Sequence, residues 1–490
     1  MGVGKKLFNI IKHQYDDTGS SIKYKNMVTD MFNITRGVKQ GDSLSPTLFN
    51  IFINDITEVF ENDLCYPLKI IDSKLSCLLF ADDLLIFSET KTGLQNSLNN
   101  LALYCDKWQI ELNIKKTKSM IFNRTCSKLE KSFLNFKNSN IDNVSEYSFL
   151  GLLIKCNGNM SHSTKELVKK AQKALFGLKA YTKSLNNLPV KVACHLFDSL
   201  IKPIMIYNSE VTYLDTYISL FRAKNRALNS GKEVDILSFA EKSPIEKLHL
   251  HFCKFLLGTR KNASNLATRA ELGRLPIEFN IKTQTLLYLK RFECCKLNPL
   301  LKEAYTLSKN LDSEGVYSWF TYVKNILSEL NLDIAQIQQN TSSDKKINNS
   351  FKVYIKTSSK NYFENLIHDK MQNIDEKSKL YLYKNLKQNL RFEDYLRTSN
   401  FTYRKLITKL RISDHNLNIE KGRHTNIPRE QRLCLKCKTL ENEKHFILDC
   451  KLNMELRNNF FNNLDFNFSV KDLSDEEKLI FILNPSTPSQ

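Results

Sequence analysis

Glycine and proline are scarce in this 490-residue chain, at 14 and 10 residues. That leaves little material for long flexible linkers and argues for ordered, helix-rich structure. No run of 18 or more apolar residues occurs, so no transmembrane helix is expected. The opening Met1-Gly2-Val3-Gly4-Lys5-Lys6 lacks the apolar stretch of a signal peptide. Lys6 also stands where N-myristoylation at Gly2 asks for Ser or Thr. No internal repeat is visible. The expectation is an intracellular protein of the nucleus or cytoplasm, not secreted and with no membrane partner. Nine scattered cysteines (Cys65, Cys77, Cys105, Cys126, Cys156, Cys194, Cys253, Cys294 and Cys295) then read as reduced, mostly buried thiols.

A hydrophobic content of 42%, with 30 Phe and 19 Tyr, supplies at least one large core. The length suits two to four domains. The formal net charge is +20. Such a balance favours polyanionic partners, because Lys and Arg displace condensed counterions from phosphates; the alternative is a basic surface kept for solubility.

Several elements are legible. After the loop Gly37–Gly41, Ser45 is placed to N-cap a helix with Pro46 at its first position, and Leu48, Phe52 and Ile56 mark its inner face. Leu75–Ser88 reads as a hairpin whose turn carries Asp82 and Asp83. Leu94, Leu98, Leu101, Cys105 and Trp108 mark a helix. A strand is expected at the end of Leu112–Phe122, and another over Tyr147–Ile154 with a central glycine. From about 163 to 420 the pattern is mostly helical. One stripe runs Leu167, Ala171, Ala174, Leu175, Leu178; another runs Leu196, Leu200, Ile204, Tyr207, interrupted by Pro203. Ile245–Leu257 is amphipathic, and Asn340–Lys346 is the best linker candidate. His249, His251 and Cys253 invite a metal reading, but at i, i+2, i+4 they do not share one helix face, and core packing is preferred.

Two adjacent carboxylates at a turn repel by roughly 4 kcal/mol at ~4 Å and an effective dielectric of ~20. A divalent cation relieves this, and Mg²⁺ favours one or two carboxylates with substrate phosphates. A solvated Asp-Asp turn is the simpler alternative. The pair has company, however. Phe80-Ala81-Asp82-Asp83 resembles the aromatic-x-Asp-Asp signature of reverse transcriptases, in the form found in non-LTR (LINE-like) retrotransposons. Arg36–Phe49 is similar to that family's Gln-Gly/Ser-Pro block, Asn113–Lys118 to the next block, and Phe149-Leu150-Gly151 to the primer-grip block. The likeness covers residues 1–215.

The resemblance implies RNA-templated DNA synthesis from a primer 3′ end, with dNTPs as substrates and Mg²⁺ (or Mn²⁺) as cofactor. It makes Asp82 the principal metal carboxylate with Asp83 beside it. Gln40 and Gly41 line the pocket for nucleotide and template. Lys116 stands near the triphosphate as a candidate proton donor, or is a solvated surface lysine. Phe149, Leu150 and Gly151 hold the primer end; a strand bulge at Gly151 is compatible with this. The family's earlier strand with a further catalytic Asp has no match in residues 1–35, where Asp16, Asp17 and Asp30 occur. A truncated enzyme is therefore expected, or alternatively a non-catalytic nucleic-acid-binding remnant.

Near the C-terminus, Cys434, Cys437, His445 and Cys450 have C-x2-C-x7-H-x4-C spacing. Four such ligands close a tetrahedron around a structural Zn²⁺; similar knuckles follow the polymerase in non-LTR elements. Basic neighbours Arg423, Arg429, Arg432, Lys436 and Lys438 suit phosphate contacts. The expected fold class is α+β: a truncated reverse-transcriptase palm with a helical thumb, a mostly helical C-terminal region and a small zinc knuckle. The expected division is 1–158 partial fingers and palm, 159–240 thumb, 241–420 helical linker region, 421–460 knuckle and 461–490 tail.

Overall fold

The computed structural model describes residues 3–123, 134–181, 188–231, 236–294, 298–334, 345–375, 378–387, 389–398, 400–463 and 473–484. Most of the expected linker, 340–344, lies outside these, as do Cys126, Cys295 and the side chain of Cys294. No described helix is long and apolar enough to cross a membrane. The chain is α+β and divides into two compact units: residues 1–119 with 131–143, and residues 120–130 with 144–490.

The first unit opens with helix α1 (Lys5–Tyr15) and two small antiparallel sheets, β1 (Gly19–Ser20) with β4 (Phe32–Asn33) and β2 (Lys23–Tyr24) with β3 (Met27–Val28). Helix α2 (Ser45–Phe52) follows. Ser45 does not cap it. Its hydroxyl donates to the Lys39 carbonyl at 2.6 Å and closes the preceding loop instead. Beyond Phe52 the chain tightens into a 3₁₀ segment, Asn54–Phe60. The tighter winding rotates the inner face, so Ile53, Ile56 and Phe60 are buried while Phe52 stays 42% exposed.

Two hairpins come next, β5 (Leu68–Ile70) with β6 (Ser73–Leu75) and β7 (Cys77–Phe80) with β8 (Asp83–Ile86). Helix α3 (Lys91–Trp108) starts at the Thr90 hydroxyl, which accepts the Gly93 N–H at 3.0 Å. A Cβ at Gly93 would lie 2.5 Å from the Cys65 carbonyl oxygen, so only glycine lets the helix start seat there. A three-stranded sheet, β10 (Leu134–Phe136), β11 (Ser139–Asn143) and β9 (Lys118–Ser119), completes the unit. Its core joins Ile56, Phe60, Leu98, Leu101, Tyr104, Leu134, Phe136 and Ile141.

The second unit begins with β12 (Glu146–Phe149) and β13 (Leu152–Lys155), paired antiparallel from Phe149↔Leu152. The single strand expected over Tyr147–Ile154 is thus a hairpin. Leu150 and Gly151 form its turn, with φ of +46° and +84°. Gly151 supplies left-handed backbone and not a bulge. Helix α4 (Ser161–Tyr181) buries Leu167, Ala171 and Leu175 as expected. α5 (Val190–Leu196) and α6 (Lys202–Met205) are joined by a wide π turn, Phe197–Ile201, just before Pro203. Here the inward stripe is Ala193, Phe197, Ile201 and Met205, while Leu200 and Tyr207 are exposed. Both stripes are apolar; the observed one wins because Phe197 stacks on Phe252 at 4.2 Å.

Further helices are α7 (Ser209–Thr212), α8 (Leu214–Asn229), α9 (Ile236–Ala240), α10 (Pro244–Leu257), α11 (Asn265–Leu272), α12 (Ile277–Cys294), α13 (Pro299–Ser313), α14 (Trp319–Glu329) and α15 (Lys345–Gln372). α16 (Tyr381–Leu386), α17 (Phe401–Arg411), α18 (Asn418–His424), α19 (Met454–Asn462) and α20 (Asp475–Leu483) complete the chain. Cys65, Cys105 and Cys253 are buried free thiols and Cys77 and Cys194 half-buried ones. Cys156, expected as a thiol, is disulfide-bonded.

Two buried ion networks run through this unit. Glu246 accepts from Arg269 at 2.9 Å and from the Ile277 N–H at 2.7 Å. Arg274 donates its Nε–H to His249 Nε2 at 2.9 Å, so His249 is a neutral imidazole giving its Nδ1 proton to Glu246. Burial holds His249 below its usual range. Burial pushes the Glu246 carboxyl up, but the Arg269 guanidinium and the His249 Nδ1–H more than reverse this and hold it below the usual carboxylate range. His249 and Cys253 therefore serve the core, and His251 lies exposed.

In the second network every N–H of Arg411 is used. Nε and Nη2 donate to Glu271, Nη2 also to Glu393 at 2.8 Å, and Nη1 to the Leu483 carbonyl at 2.6 Å and Asn484 at 3.2 Å. Lys387 pairs with Glu393, and the Tyr395 hydroxyl donates to Glu271. Removing one partner of a fully buried pair strands the others. Arg411→Met is therefore expected to destabilise the helical unit by about 3–5 kcal/mol. Urea unfolding monitored on this unit checks this; a loss below about 1 kcal/mol contradicts the network's role.

Candidate functional site

The β7–β8 hairpin pairs Cys77↔Ile86, Leu78↔Leu85, Leu79↔Leu84 and Phe80↔Asp83, leaving Ala81 and Asp82 as a two-residue turn. Ala81 takes the positive φ, +52°, that such turns demand. Alternation sends Cys77, Leu79, Leu84 and Ile86 to the core. It leaves Leu78, Phe80 and Asp83 on the other face, with Phe80 63% exposed. Asp82 therefore stands at the tip and Asp83 opens β8, both exposed. Adjacent hard oxygen donors of this kind suit a divalent cation that also takes ligands from a substrate.

The Gln40-Gly41 loop belongs to the same unit. Lys39 fastens it, donating its ammonium to the Gln14 carbonyl at 2.8 Å while its carbonyl accepts from Ser45. Gly41 has φ +87°, a conformation side chains rarely adopt, and open space around it. Gln40, Gly41 and Lys116 are exposed. The Lys116 backbone is set by a turn, its N–H reaching the Asn113 carbonyl at 3.1 Å.

Phe149, Leu150 and Gly151 fall in the second unit. The Leu150 carbonyl accepts from the Tyr207 hydroxyl and the Gly151 carbonyl from Lys170, each at 3.2 Å. Sequence reading missed both clamps. Tyr207 had been placed on a core stripe, and Lys170 is one lysine among many on α4.

The four knuckle residues do converge. Their ligand atoms all lie within 4.8 Å of one another. Cys434 Sγ is 3.9 Å, and Cys437 Sγ 4.0 Å, from Cys450 Sγ. A tight turn, closed by Cys434 N–H to the Thr439 carbonyl at 2.8 Å, presents the first two thiols. His445 Nδ1 lies 3.1 Å from the Thr439 hydroxyl, while its Nε2 is buried with no hydrogen-bond partner in the protein. That orphaned nitrogen facing three sulfurs is what a metal would satisfy. The Cys437 backbone N–H, followed by His445, lowers the Cys434 thiol to about 7. The cluster can hold a metal ion. Of its basic neighbours, Arg432 is occupied within the fold, donating to the Ile419 and Ile427 carbonyls, and Arg423 pairs with Glu420.

Comparison with known proteins bears on the first part of the chain. Residues 3–154 match the family described as reverse transcriptase (RNA-dependent DNA polymerase). The chain is 30% identical over 115 residues to the Retrovirus-related Pol polyprotein from type-2 retrotransposable element R2DM of Drosophila melanogaster, covering 24% of this chain and 11% of that protein. It is 29% identical over 119 residues to the corresponding R2 polyprotein of Popillia japonica, covering 24% and 20%. It is 20% identical over 219 residues to the RNA-directed DNA polymerase from mobile element jockey of D. melanogaster, covering 42% and 22%. The matches thus span well under half of each of these relatives. Residues 3–154, which carry the Asp-Asp hairpin, are thus similar to the reverse-transcriptase family, and these relatives are all products of retrotransposable or mobile elements.

Proposed function

We propose that the chain takes part in RNA-directed DNA synthesis, extending a DNA primer on an RNA template with dNTPs, and that Asp82 and Asp83 carry its catalytic metal. The observation that carries this is the hairpin presenting both carboxylates, exposed and adjacent, inside the matched region. Mg²⁺ (or Mn²⁺) fits this donor set; when bound it supplies Lewis-acid activation of the reacting oxygens. The remaining roles belong to the chain. The open Gln40-Gly41 loop receives nucleotide and template, and Lys116 offers a cation to the triphosphate. The hairpin tip Phe149-Leu150-Gly151, held by Tyr207 and Lys170, supports the primer end. Residues 1–158 then act as partial fingers and palm, 159–240 as thumb, 241–420 as a helical linker region, 421–460 as knuckle and 461–490 as tail. An intracellular setting, nucleus or cytoplasm, fits an enzyme that copies RNA.

One observation favours a second reading. Among the described residues the only group of three or more potential metal ligands is the Cys–His cluster, so the hairpin offers two carboxylates without a third beside them. A non-catalytic nucleic-acid-binding remnant would need no more. Primer extension on an RNA template with Mg²⁺ separates the two. Extension is expected from the parent chain and is expected to fall roughly a hundredfold or more in an Asp82→Ala, Asp83→Ala double variant. No extension by either, with primer–template binding retained, supports the second reading and overturns the first.

The cluster Cys434, Cys437, His445 and Cys450 we assign to structural Zn²⁺, since three thiolates and an imidazole close its tetrahedron and leave no open position. Metal analysis of the purified chain should find zinc in equimolar amount, and Cys450→Ser should lose it. A zinc-free chain with unchanged thermal stability contradicts this assignment.

A further inference from the structure

Two adjoining cavities run along helix α8, outside the matched residues 3–154. The larger, about 590 Å³, is lined by Ile218, Phe221 and Tyr317 with Asn225 and Asn229 at its edge. The smaller, about 320 Å³, is lined by Asn159, Asp215 and Ser219. Ile218, Arg222 and Arg226 line both, so the two form one groove. These three recur every fourth residue and share one helix face.

The groove has two chemically distinct ends. At one, Tyr317 lies 5.9 Å from Phe221, ring centre to ring centre, and its hydroxyl is fixed by the Asn325 amide at 2.8 Å. Tyr217 stacks behind Phe221 at 5.9 Å. This is an aromatic surface with a locked orientation. At the other end, Arg222 and Arg226 are exposed, and Arg226 Nε donates to the Arg222 carbonyl at 3.4 Å, leaving the Nη groups of both to face solvent. The one lining carboxylate, Asp215, is engaged by the Met160 N–H at 2.6 Å. Two guanidinium groups against one carboxylate leave that end positive.

We propose that this groove binds single-stranded nucleic acid, seating a base on Tyr317 and Phe221 and its phosphates on Arg222 and Arg226. An aromatic platform beside exposed arginines matches the alternation of base and phosphate along a strand. The amides of Asn225 and Asn229, at the same cavity's edge, can hydrogen-bond a base edge. The volume is within the ~300–1,000 Å³ of small-ligand clefts, so it takes one or two nucleotides and not a duplex. This inference uses only the nucleic-acid partner of the proposed function; polymerisation can fail while the groove binds.

The test is fluorescence anisotropy with the full chain and short fluorescein-labelled oligouridine RNA or oligothymidine DNA. Arg222→Ala, Arg226→Ala should weaken binding at least roughly tenfold at low salt, and should reduce the slope of log K against log salt by about 1.4, two phosphate contacts on a single strand. Tyr317→Leu should weaken it roughly tenfold, while Tyr317→Phe, which keeps the ring, binds as the parent does. A loss on both probes supports readout of backbone and base face; a loss on RNA alone supports the groove and adds a 2′-hydroxyl contact. The arginines are exposed, so their replacement tests the groove even if Tyr317→Leu fails to fold. Parental affinity and salt slope in the arginine variant overturn the proposal, as does an equal loss in Tyr317→Phe. Either result with primer extension intact leaves the polymerase reading standing.

Discussion

The helical unit depends on a stretch of six residues, Glu271-Leu272-Gly273-Arg274-Leu275-Pro276, whose charged members face two different networks. Glu271, fully buried, is balanced by Arg411 from α17 and shares it with Glu393. Arg274 turns the other way, to Asp198 at 2.7 Å and to His249. Between them Gly273 lets residues 391–392 lie against the backbone: a Cβ there would meet the Phe392 nitrogen at 2.7 Å. Buried charge is tolerated only where it is neutralised and fully hydrogen-bonded. Glu271, Glu393, Arg411 and Lys387 meet that condition as a balanced set. The same set anchors the C-terminal helix through the Leu483 carbonyl.

The anchorage continues to the cysteine cluster. Arg260 binds Asp414 at 2.8 Å, and Ser413 and His415 both reach Glu443, at 2.6 and 2.8 Å. Glu443 lies between the second cysteine and His445 in sequence. The Cys–His cluster is therefore held to the helices by buried polar contacts and is not a bead on a string. The first unit is built differently. Its core is one long helix, α3, under small sheets, and the groups proposed to carry its chemistry, Asp82, Asp83, Gln40, Gly41 and Lys116, all lie exposed on turns or strand ends. Such positions leave carboxylates and backbone open to a charged substrate while the alternate face of each strand keeps the fold.

Much of this was legible. The apolar spacing from Leu94 onward gave α3, the two apolar runs around Asp82 gave the β7–β8 hairpin, and the spacing of Cys434, Cys437, His445 and Cys450 gave the cluster. Periodicity failed where two faces are equally apolar. Leu196, Leu200, Ile204 and Ala193, Phe197, Ile201 are both good stripes, and only the partner ring Phe252 decides between them. It failed also at Ser45, whose capping signal was real but whose hydroxyl found a nearer carbonyl, and at Gly151, where a turn glycine and a bulge glycine look alike in sequence. Glu271 and Arg411 are 140 residues apart, a separation at which no local pattern couples them. The α8 groove needs Tyr317 from a distant loop for the same reason.

The central claim is that the Asp82-Asp83 hairpin holds a divalent cation. Mn²⁺ is the direct probe, because its electron paramagnetic resonance signal distinguishes bound from free ion. With primer–template and a non-hydrolysable dNTP analogue present, the parent chain should bind Mn²⁺ and the Asp82→Ala, Asp83→Ala variant should release it. Equal Mn²⁺ binding by both chains would place the cation elsewhere and contradict the account.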